Sequence, residues 1–246
     1  LNLRVMDSLI PWERGVSDQG ELFPAMDRLS KYATPGERAA NAAFLRRAFH
    51  TVVGNPPYIT PKDPQKREDY RLFWPGSAAG KYALSAPFIE RLIVLGVNKA
   101  YTGQITSNAF IKRSFGRAVI RTVFSQWLLT DVIDTSGAYI PGHGTPTVVL
   151  FIRHIQIDDQ AHSVRSLLNK KGEPKRPAVP ERGLVWQAIL QAPRDDDDTS
   201  AFVTVSNRPL ADFQGHPWTL GAGLSGEVLC LLADNSHVLD EDKRFD

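Results

Sequence analysis

Residues 52–58, which read VVGNPPY, decide how this chain folds. Val52 and Val53 are apolar and β-branched, so they predict the end of a buried strand. The two prolines that follow fix the backbone φ angle and remove hydrogen-bond donors, which predicts a rigid turn at 55–58. In an α/β sheet, ligands bind where the carboxyl end of a strand meets the next loop. The stretch therefore predicts a functional turn at that position.

Strands and helices are predicted to alternate on both sides of this turn. Apolar residues at helical spacing predict helices, and short runs of apolar or β-branched residues predict strands. The predicted helices span residues 36–49, 82–98 and 112–127, and the predicted strands lie at 1–10, around 52–53, and at 101–107, 128–134 and 145–153. This alternation implies a doubly wound α/β sheet.

The remaining segments are rich in proline, glycine and charged residues. Residues 11–36 and 59–80 are predicted to be loops for this reason. Beyond residue 157 the alternation is lost, and clusters of Pro, Lys and Asp continue through residue 217. We expect an irregular segment there, which leads into a new helix at 226–234.

The composition excludes several classes of protein. The chain has 246 residues, of which 42% are hydrophobic and 23% charged, as in ordinary globular domains. A net charge of +2 permits a nucleic-acid partner without requiring one. No apolar run approaches the length of a membrane span, and no signal peptide opens the sequence. The single cysteine, Cys230, favours a reducing, cytoplasmic compartment.

The turn at 55–58 has the groups needed to activate an amino nitrogen. An exocyclic amino group on a base is a poor nucleophile, because its lone pair is delocalised into the ring. The side-chain oxygen of Asn55 and the carbonyl of Pro56 would both accept from its hydrogens, and the prolines would keep these acceptors fixed. Tyr58 would stack on a base that has left the duplex. Asn55, Pro56, Pro57 and Tyr58 are therefore candidate catalytic residues. The alternative is a rigid turn in which Tyr58 is ordinary packing.

Methylation of a ring carbon is disfavoured by the same sequence. Enzymes that methylate a ring carbon of cytosine need a Pro-Cys nucleophile that bonds covalently to the base. Cys230 lies between two leucines, far along the chain from the Pro-Pro turn. The expected acceptor is therefore a nitrogen atom.

The chain resembles a known family over residues 52–153. Residues 52–58, 81–91 and 103–116 are similar to the catalytic turn and the following elements of amino-group DNA methyltransferases of the gamma arrangement. In that arrangement the cofactor motifs precede the catalytic turn and target recognition follows it. Residues 134–147, which read DTSGAYIPGHGTPT, resemble more closely the large adenine-specific methyltransferases of bacterial phage-exclusion (BREX, or Pgl-type) systems.

The resemblance implies a cofactor, a substrate and partners. S-adenosyl-L-methionine would be the methyl donor, and the adenine amino group of double-stranded DNA the acceptor. Phage defence or restriction-modification would be the biological role, with other phage-defence proteins as partners. Asp7 resembles the acidic residue that accepts from the amino group of the cofactor's adenine. Its alternative is a cap or turn residue at the end of a strand.

The resemblance also suggests a division of the chain. Residues 1–157 would be the catalytic part of a partial Rossmann-like methyltransferase domain. Residues 158–246 would be a linker and the start of a C-terminal helical or target-recognition region. No Gly-x-Gly loop precedes Asn55, although the family holds its cofactor with one. We therefore expect a fragment of a longer polypeptide that has little or no activity alone. Tight cofactor binding by residues 1–246 alone would contradict that expectation.

Four further residues are candidates for contact with substrate. Lys62 and Arg67 flank the turn, where positive charge would meet DNA phosphates. Tyr139 and His143 lie in a Gly- and Pro-rich loop between two strands, where either would line a base pocket. The alternatives are solvated side chains and, for Tyr139, ordinary packing.

Two other charged groups are interpreted as solvated surface. Lys112, Arg113, Arg117 and Arg121 are expected to form the solvated face of an amphipathic helix, and the alternative is that they meet DNA phosphates. Residues 195–198 are consecutive aspartates without spaced metal ligands, which indicates a solvated loop. No metal site is predicted.

Two other functions remain open. Similar turns occur in methyltransferases that modify protein glutamine or structural RNA, although those enzymes usually end soon after the catalytic half. About 190 residues follow Tyr58 here, which favours DNA. The second alternative is a non-catalytic DNA-binding or assembly module, because the cofactor loop is missing.

Overall fold

The computed structural model describes residues 3–12, 30–46, 49–142, 144–158, 161–194 and 198–220. These residues form an α/β fold around a seven-stranded sheet. The helices are α1 (Pro35–Leu45), α2 (Pro64–Phe73), α3 (Ser85–Val94), α4 (Ser114–Ala118) and α5 (Leu184–Gln191). The strands are β1 (Phe49–Gly54), β2 (Gly96–Ser107), β3 (Trp127–Asp134), β4 (Thr147–Gln156), β5 (Ser163–Asn169), β6 (Asp198–Thr199) and β7 (Val203–Pro209).

The sheet is mixed, with the strand order β1-β2-β4-β3-β5-β7-β6. β1 and β2 are parallel, and β4 lies between β2 and β3 and is antiparallel to both. β1, β2 and β3 therefore run in the same direction and end at the same edge of the sheet. The predicted α/β class is confirmed. β4 departs from a purely parallel sheet because no helix lies between β3 and β4, so the chain returns antiparallel.

Most predicted elements near the turn are confirmed, with shifted ends. The strands expected at 101–107, 128–134 and 145–153 are β2, β3 and β4, and the strand at 52–53 is β1. The helix expected at 82–98 is the shorter α3. The helix expected at 36–49 is α1, which ends at Leu45, and Phe49 already belongs to β1. The helix expected at 112–127 consists of α4 and a π-helical turn, Val119–Val123.

The loop predicted at 59–80 is wrong for residues 64–73, which form α2. Asp63 caps this helix, since its carboxylate accepts from the backbone N–H groups of Gln65 and Lys66 at 2.8 and 3.2 Å. Pro64 occupies the first helical position, where a missing N–H costs nothing. The Asp-Pro pair was therefore a readable start signal for a helix. The loop predicted at 11–36 gives way to α1 at Pro35, where Thr34 and Glu37 form a capping box.

The strand predicted at 1–10 is wrong for the described residues 3–10, which form bends and turns. Leu3 and Val5 are 82% and 94% exposed, so their apolar side chains do not mark a buried strand. The following residues Leu9 and Ile10 are buried in the core instead. The Leu9 carbonyl accepts from the indole N–H of Trp74 at 2.7 Å, which ties this segment to the end of α2.

The irregular segment predicted beyond residue 157 is also wrong in its main part. β5 pairs with β3 and β7 pairs with β5, so both strands extend the same sheet. Together with α5 they enclose a second hydrophobic cluster of Leu167, Val185, Ile189, Val203 and Val205. The division of the chain at residue 157 stays a prediction. The helix predicted at 226–234 and Cys230 lie outside the described residues.

The main core lies between the sheet and the helices α3 and α4. On the sheet side, this core contains buried residues of β3 and β4 such as Leu129 and Leu150. On the helix side, α3 contributes Ile89 and Ile93. The helix approaches β1 closely, because Gly54 leaves room for the side chain of Leu92. None of the described helices is both long and apolar enough to cross a membrane.

Gly116 is a second position where the fold depends on a missing side chain. A Cβ atom built on it would lie 1.7 Å from the backbone carbonyl oxygen of Phe110, which cannot move freely. Gly116→Ala is expected to lower the free energy of unfolding by about 3 kcal/mol or to prevent folding, as overpacked cores do. Urea unfolding measures the effect. Gly36→Ala in α1 is the control, because no atom lies within 4 Å of its Cβ position. Equal stability of the two variants would contradict the packing at α4.

Candidate active site

The turn at 55–58 projects from the carboxyl end of β1. Asn55 and Pro57 are exposed, Pro56 is buried and Tyr58 is half-buried. The hydroxyl of Tyr58 donates to the side-chain oxygen of Asn55 at 2.8 Å. Burial raises the pKa of the Tyr58 hydroxyl, so it stays a protonated donor at neutral pH. The amide oxygen proposed to accept from a substrate is thus held by the tyrosine of the same turn.

A chain of hydrogen bonds anchors the segment after the turn. The carbonyl of Ile59 accepts from the backbone N–H of Leu84 at 2.8 Å. The next residue, Ser85, accepts at its carbonyl from the side-chain amide of Gln104 at 3.1 Å. Gln104 is buried on β2. The segment after the turn, the start of α3 and the neighbouring strand are therefore linked, and the bond between Ser85 and Gln104 is buried.

The turn separates two cavities. Asn55, Pro56 and Pro57 line a cavity of about 470 Å³ on one side. Tyr58 lines a larger cleft of about 1030 Å³ on the other. The four predicted catalytic residues thus form a wall between the two cavities, with Asn55, Pro56 and Pro57 facing the smaller cavity and Tyr58 facing the larger cleft.

The smaller cavity is mainly apolar, and one buried arginine, Arg91, contributes to its lining. Arg91 is fully buried there, and its Nε donates to the carbonyl of Ser8 at 2.8 Å. The guanidinium also lies 5.5 Å from the ring centroid of Trp74, within cation–π range. The cavity wall includes Met6, Ser8, Phe44, Phe88 and Leu92.

Asp7 lies between two residues that line this cavity, but its own side chain is directed elsewhere. One carboxylate oxygen accepts from the Tyr70 hydroxyl at 2.7 Å and the other from the Leu9 N–H at 3.1 Å. Lys66 Nζ is 3.6 Å from the first oxygen. Burial and the hydrogen bond to Asp7 raise the pKa of Tyr70 above its usual range. Asp7 is a turn residue in this structure, with 25% of its side chain still exposed, and its contact with a cofactor remains a prediction.

The larger cleft lies at the edge of the sheet where β1, β2 and β3 end. Ser107 ends β2, Asn108 follows it, and Asp134 ends β3. The N–H of Asn108 donates to the carbonyl of Pro146 at 3.0 Å, which joins the end of β2 to the entry of β4. Residues from three strand ends therefore meet around the half-buried ring of Tyr58.

Residues 217–220 also line the cleft. The sequence analysis had assigned these residues to the end of an irregular segment and to the stretch just after it. Trp218 is 2% exposed and packs on Phe110, Phe124 and Phe213, with ring centroids 5.2–5.4 Å away. Its indole N–H donates to the Phe213 carbonyl at 2.8 Å, and its backbone N–H to Ile111 at 3.2 Å. The alternating valines of β7 were a readable strand signal before this segment, whereas the contacts of Trp218 with Phe110 and Ile111 were not readable.

Of the other predicted substrate residues, the described Lys62, Arg67 and Tyr139 do not line the cleft. Lys62 is exposed and Arg67 is half-buried in α2, and neither lines it. Tyr139 lines a separate groove of about 340 Å³ with Trp186, whose indole N–H donates to the Tyr139 carbonyl at 3.1 Å. His143 lies outside the described residues. The roles of these residues stay predictions. Within the described ranges, no three His, Cys, Asp or Glu side chains cluster as a metal site would require.

The mixed sheet and the Asn-Pro-Pro-Tyr turn between two cavities define a Rossmann-like protein of the methyltransferase class. Over residues 13–140, just over half of the chain, the sequence matches the family described as Eco57I restriction-modification methylase. The chain belongs to this family.

Relatives share the same class. The adenine-specific methyltransferase PglX of Streptomyces coelicolor is 41% identical over 255 residues, covering 97% of this chain and 21% of the relative. The chain thus spans about a fifth of the length of that curated relative. This chain is also similar to a chain in a solved structure of a type I restriction-modification system. The alignment covers 78% of this chain and 43% of the other chain, at 15% identity and a TM-score of 0.49. The alignment with the type IIG restriction endonuclease BpuSI covers 76% of this chain and 22% of BpuSI, at 13% identity and a TM-score of 0.49. With TM-scores below 0.5, these two similarities carry no conclusion.

Trp218 is expected to hold the far wall of the cleft. Trp218→Ala removes a buried ring from the aromatic cluster and should lower the free energy of unfolding by about 3–5 kcal/mol. Trp218→Phe keeps an aromatic ring and should lose less. Chemical unfolding followed by circular dichroism measures both. Leu190→Ala is the control because Leu190 is 72% exposed. A Trp218→Ala variant as stable as the control would show that this wall is not packed as described.

Proposed function

We propose that this chain forms the catalytic part of an S-adenosylmethionine-dependent DNA methyltransferase that acts on the exocyclic amino group of adenine. The observation that carries the proposal is the position of the turn between two cavities. A transfer between two substrates needs both reacting atoms within reach of one catalytic group. Asn55 lines one cavity and Tyr58 the other, and the 2.8 Å hydrogen bond between them shows that the Asn55 oxygen is within reach of a group on the Tyr58 side.

Asn55 and Pro56 would prepare the amino nitrogen for attack. Its two hydrogens need two acceptors, and the Asn55 side-chain oxygen and the Pro56 carbonyl are adjacent in the turn. Among the described residues, no backbone donor pairs with the Pro56 carbonyl. Both acceptors would also stabilise the positive charge that grows on the nitrogen as it forms a bond to carbon. The methylated nitrogen would afterwards lose one proton to solvent water, because the two amide oxygens accept hydrogen bonds but are too weakly basic to take up a proton.

Tyr58 would have two roles in this scheme. Its ring lines the larger cleft and would stack on the flat face of the base. Its hydroxyl occupies the Asn55 oxygen at 2.8 Å and would give way when the amino group arrives. The exchange replaces one hydrogen bond by another, so it costs little net free energy.

The smaller cavity fits the cofactor in size and lining. Its volume of about 470 Å³ lies in the range of small-molecule sites. When bound, S-adenosylmethionine supplies a methyl group on a positively charged sulfur. Met6, Phe44 and Phe88 would hold its apolar parts. Contact between its adenine amino group and Asp7 would require the Asp7 carboxylate to turn from Tyr70 toward the cavity. A glycine-rich loop is absent upstream of Asn55 in the sequence, so these residues would hold only part of the group.

DNA is the proposed substrate in preference to RNA or protein. The 41% identical relative is named an adenine-specific methyltransferase, and that name supports the choice of base. By the same relationship we propose a role in phage defence of the BREX type, in the cytoplasm, with other defence proteins as partners. A non-catalytic module is less well supported, because all four residues of the catalytic turn are present.

Asn55→Ala tests the chemistry. The variant loses one of the two acceptors and should reduce kcat by about 100-fold or more, the usual effect of removing one preorganised catalytic hydrogen bond. Transfer of labelled methyl groups from S-adenosylmethionine to duplex DNA by the complete natural polypeptide measures it. Asn98→Ala is the matched control, since Asn98 is exposed near the opposite end of β2. If label enters only RNA or protein, DNA is not the substrate. Full activity of Asn55→Ala would contradict the proposed role of the Asn55 oxygen.

Tyr58 variants separate the ring from the hydroxyl. Tyr58→Ala loses stacking worth about 1–3 kcal/mol, so kcat/KM should fall by about 5- to 150-fold. Tyr58→Phe keeps the ring and frees the Asn55 oxygen, so its kcat/KM should stay within about tenfold of the natural protein. Steady-state methylation kinetics distinguish the two. Equal losses in both variants would mean that the hydroxyl, and not the ring, contributes the binding energy.

A further inference from the structure

Three cationic side chains line the cleft that holds Tyr58. Lys81, Lys112 and Arg113 contribute to its wall, and Asp134 carries the one carboxylate among the described lining residues. That carboxylate accepts from the N–H of Ser136 at 2.9 Å within its own turn. Lys81, Lys112 and Arg113 are all exposed. The cleft therefore presents a net positive rim to solvent.

Some other cations of the described chain are paired with carboxylates. Lys66 lies 3.6 Å from Asp7, and Arg208 lies 2.9 Å from Asp212. Across the described ranges, by contrast, no ion pair involves Lys81, Lys112 or Arg113. Solvated cations are ordinary on a protein surface. Three of them around one concave cleft, without acidic partners, are what an anionic ligand requires.

The backbone that carries two of these cations is fixed from both sides. The N–H groups of Lys112 and Arg113 donate to the Ala109 carbonyl at 3.3 and 2.9 Å. The Arg113 carbonyl accepts from His216 Nε2 at 3.0 Å, and this bond joins it to the segment that forms the far wall. The two charges therefore start from a preset position, and binding an anion would require only side-chain ordering.

A base that stacks on Tyr58 brings its own sugar and phosphates to the mouth of the cleft. We propose that Lys81, Lys112 and Arg113 bind the DNA backbone phosphates that flank this nucleotide. The proposal rests on the proposed function and adds to it the groups that hold the strand beside the extruded base. Such contacts would fix the position of the strand and carry no base information.

The assignment differs from the one that the sequence favours. Lys62 and Arg67 were predicted to meet phosphates because they lie near the turn in sequence. Arg67 is half-buried in α2, and its carbonyl accepts from the Tyr82 hydroxyl at 2.9 Å, so α2 lies against the segment that leads to α3. Lys112 and Arg113 were expected on a solvated helix face, but they precede α4 and line the cleft.

The salt dependence of DNA binding tests the proposal. Each phosphate contact contributes about 0.9 to the slope of log K against log salt. Lys112→Gln/Arg113→Gln in the complete natural polypeptide should therefore flatten the slope by about 1.8, with similar weakening for every duplex sequence. Arg117→Gln/Arg121→Gln is the matched control, because it removes the same charge from exposed positions that do not line the cleft. Lys112→Arg/Arg113→Lys keeps both charges and should keep the slope.

The outcomes separate this proposal from the proposed function. An unchanged slope in Lys112→Gln/Arg113→Gln, or an equal change in the control, overturns the phosphate assignment even if the natural protein methylates DNA. Failure of the natural protein to methylate DNA in the same preparation overturns the proposed function, whatever the slopes. A flattened slope confined to the cleft variant, together with methyl transfer to DNA by the natural protein, supports both. Circular dichroism verifies that each variant is folded.

Discussion

The parallel pairing of β1 with β2 is the constraint on which the site depends. It sets Gly54 opposite Gln104, so the two strands end at the same edge of the sheet. Gln104 then donates from the buried interior to the carbonyl of Ser85, and Leu84 donates to Ile59 just beyond the turn. Hydrogen bonds in a low-dielectric interior are costly to leave unmade. The sheet, the start of α3 and the segment after the turn are therefore held in one arrangement.

The two cavities on either side of the turn have different chemistry. The smaller one is mainly apolar around the buried Arg91, whereas the larger one is bordered by strand-end polar groups and unpaired cations. A small apolar and charged cofactor suits the first, and a flat base attached to an anionic strand suits the second. The hydroxyl of Tyr58 contacts Asn55 across the wall. An empty base site thus still has its main acceptor satisfied.

Local signals in the sequence were sufficient for the elements around the turn. The apolar spacing of α3 reflects burial, so α3 could be predicted. The β-branched residues before Asn55 predicted β1, but the predicted burial was wrong, because β1 is an edge strand of the described sheet and Val53 is 76% exposed. α2 was missed because most of its residues are polar and its buried apolar residues are Tyr70 and Phe73 near its end, although Asp63 and Pro64 marked its start. β5 and β7 were missed because Pro, Lys and Asp clusters around them concealed short strands at the side of the sheet.

The composition of the site could be predicted only in part. Asn55, Pro56, Pro57 and Tyr58 are contiguous, so their proximity follows from the sequence. Trp218 and Arg113 are about a hundred residues apart and line the same cleft through tertiary packing, which a single sequence does not reveal. Asp7 was chosen by resemblance as a cofactor contact. In the described fold its carboxylate instead accepts hydrogen bonds from Tyr70 and Leu9. Its environment depends on packing between α2 and a segment that is not a strand.

The most direct test of the central claim is an experimental structure of the complete natural polypeptide with duplex DNA and a non-transferring analogue of S-adenosylmethionine. The account predicts an adenine outside the duplex and stacked on Tyr58. Its amino nitrogen should lie within hydrogen-bond distance of the Asn55 side-chain oxygen and the Pro56 carbonyl, with the analogue in the cavity on the other side of the turn. An adenine bound away from Tyr58, or an analogue outside the Asn55 cavity, would contradict the assignment of the turn as the catalytic wall.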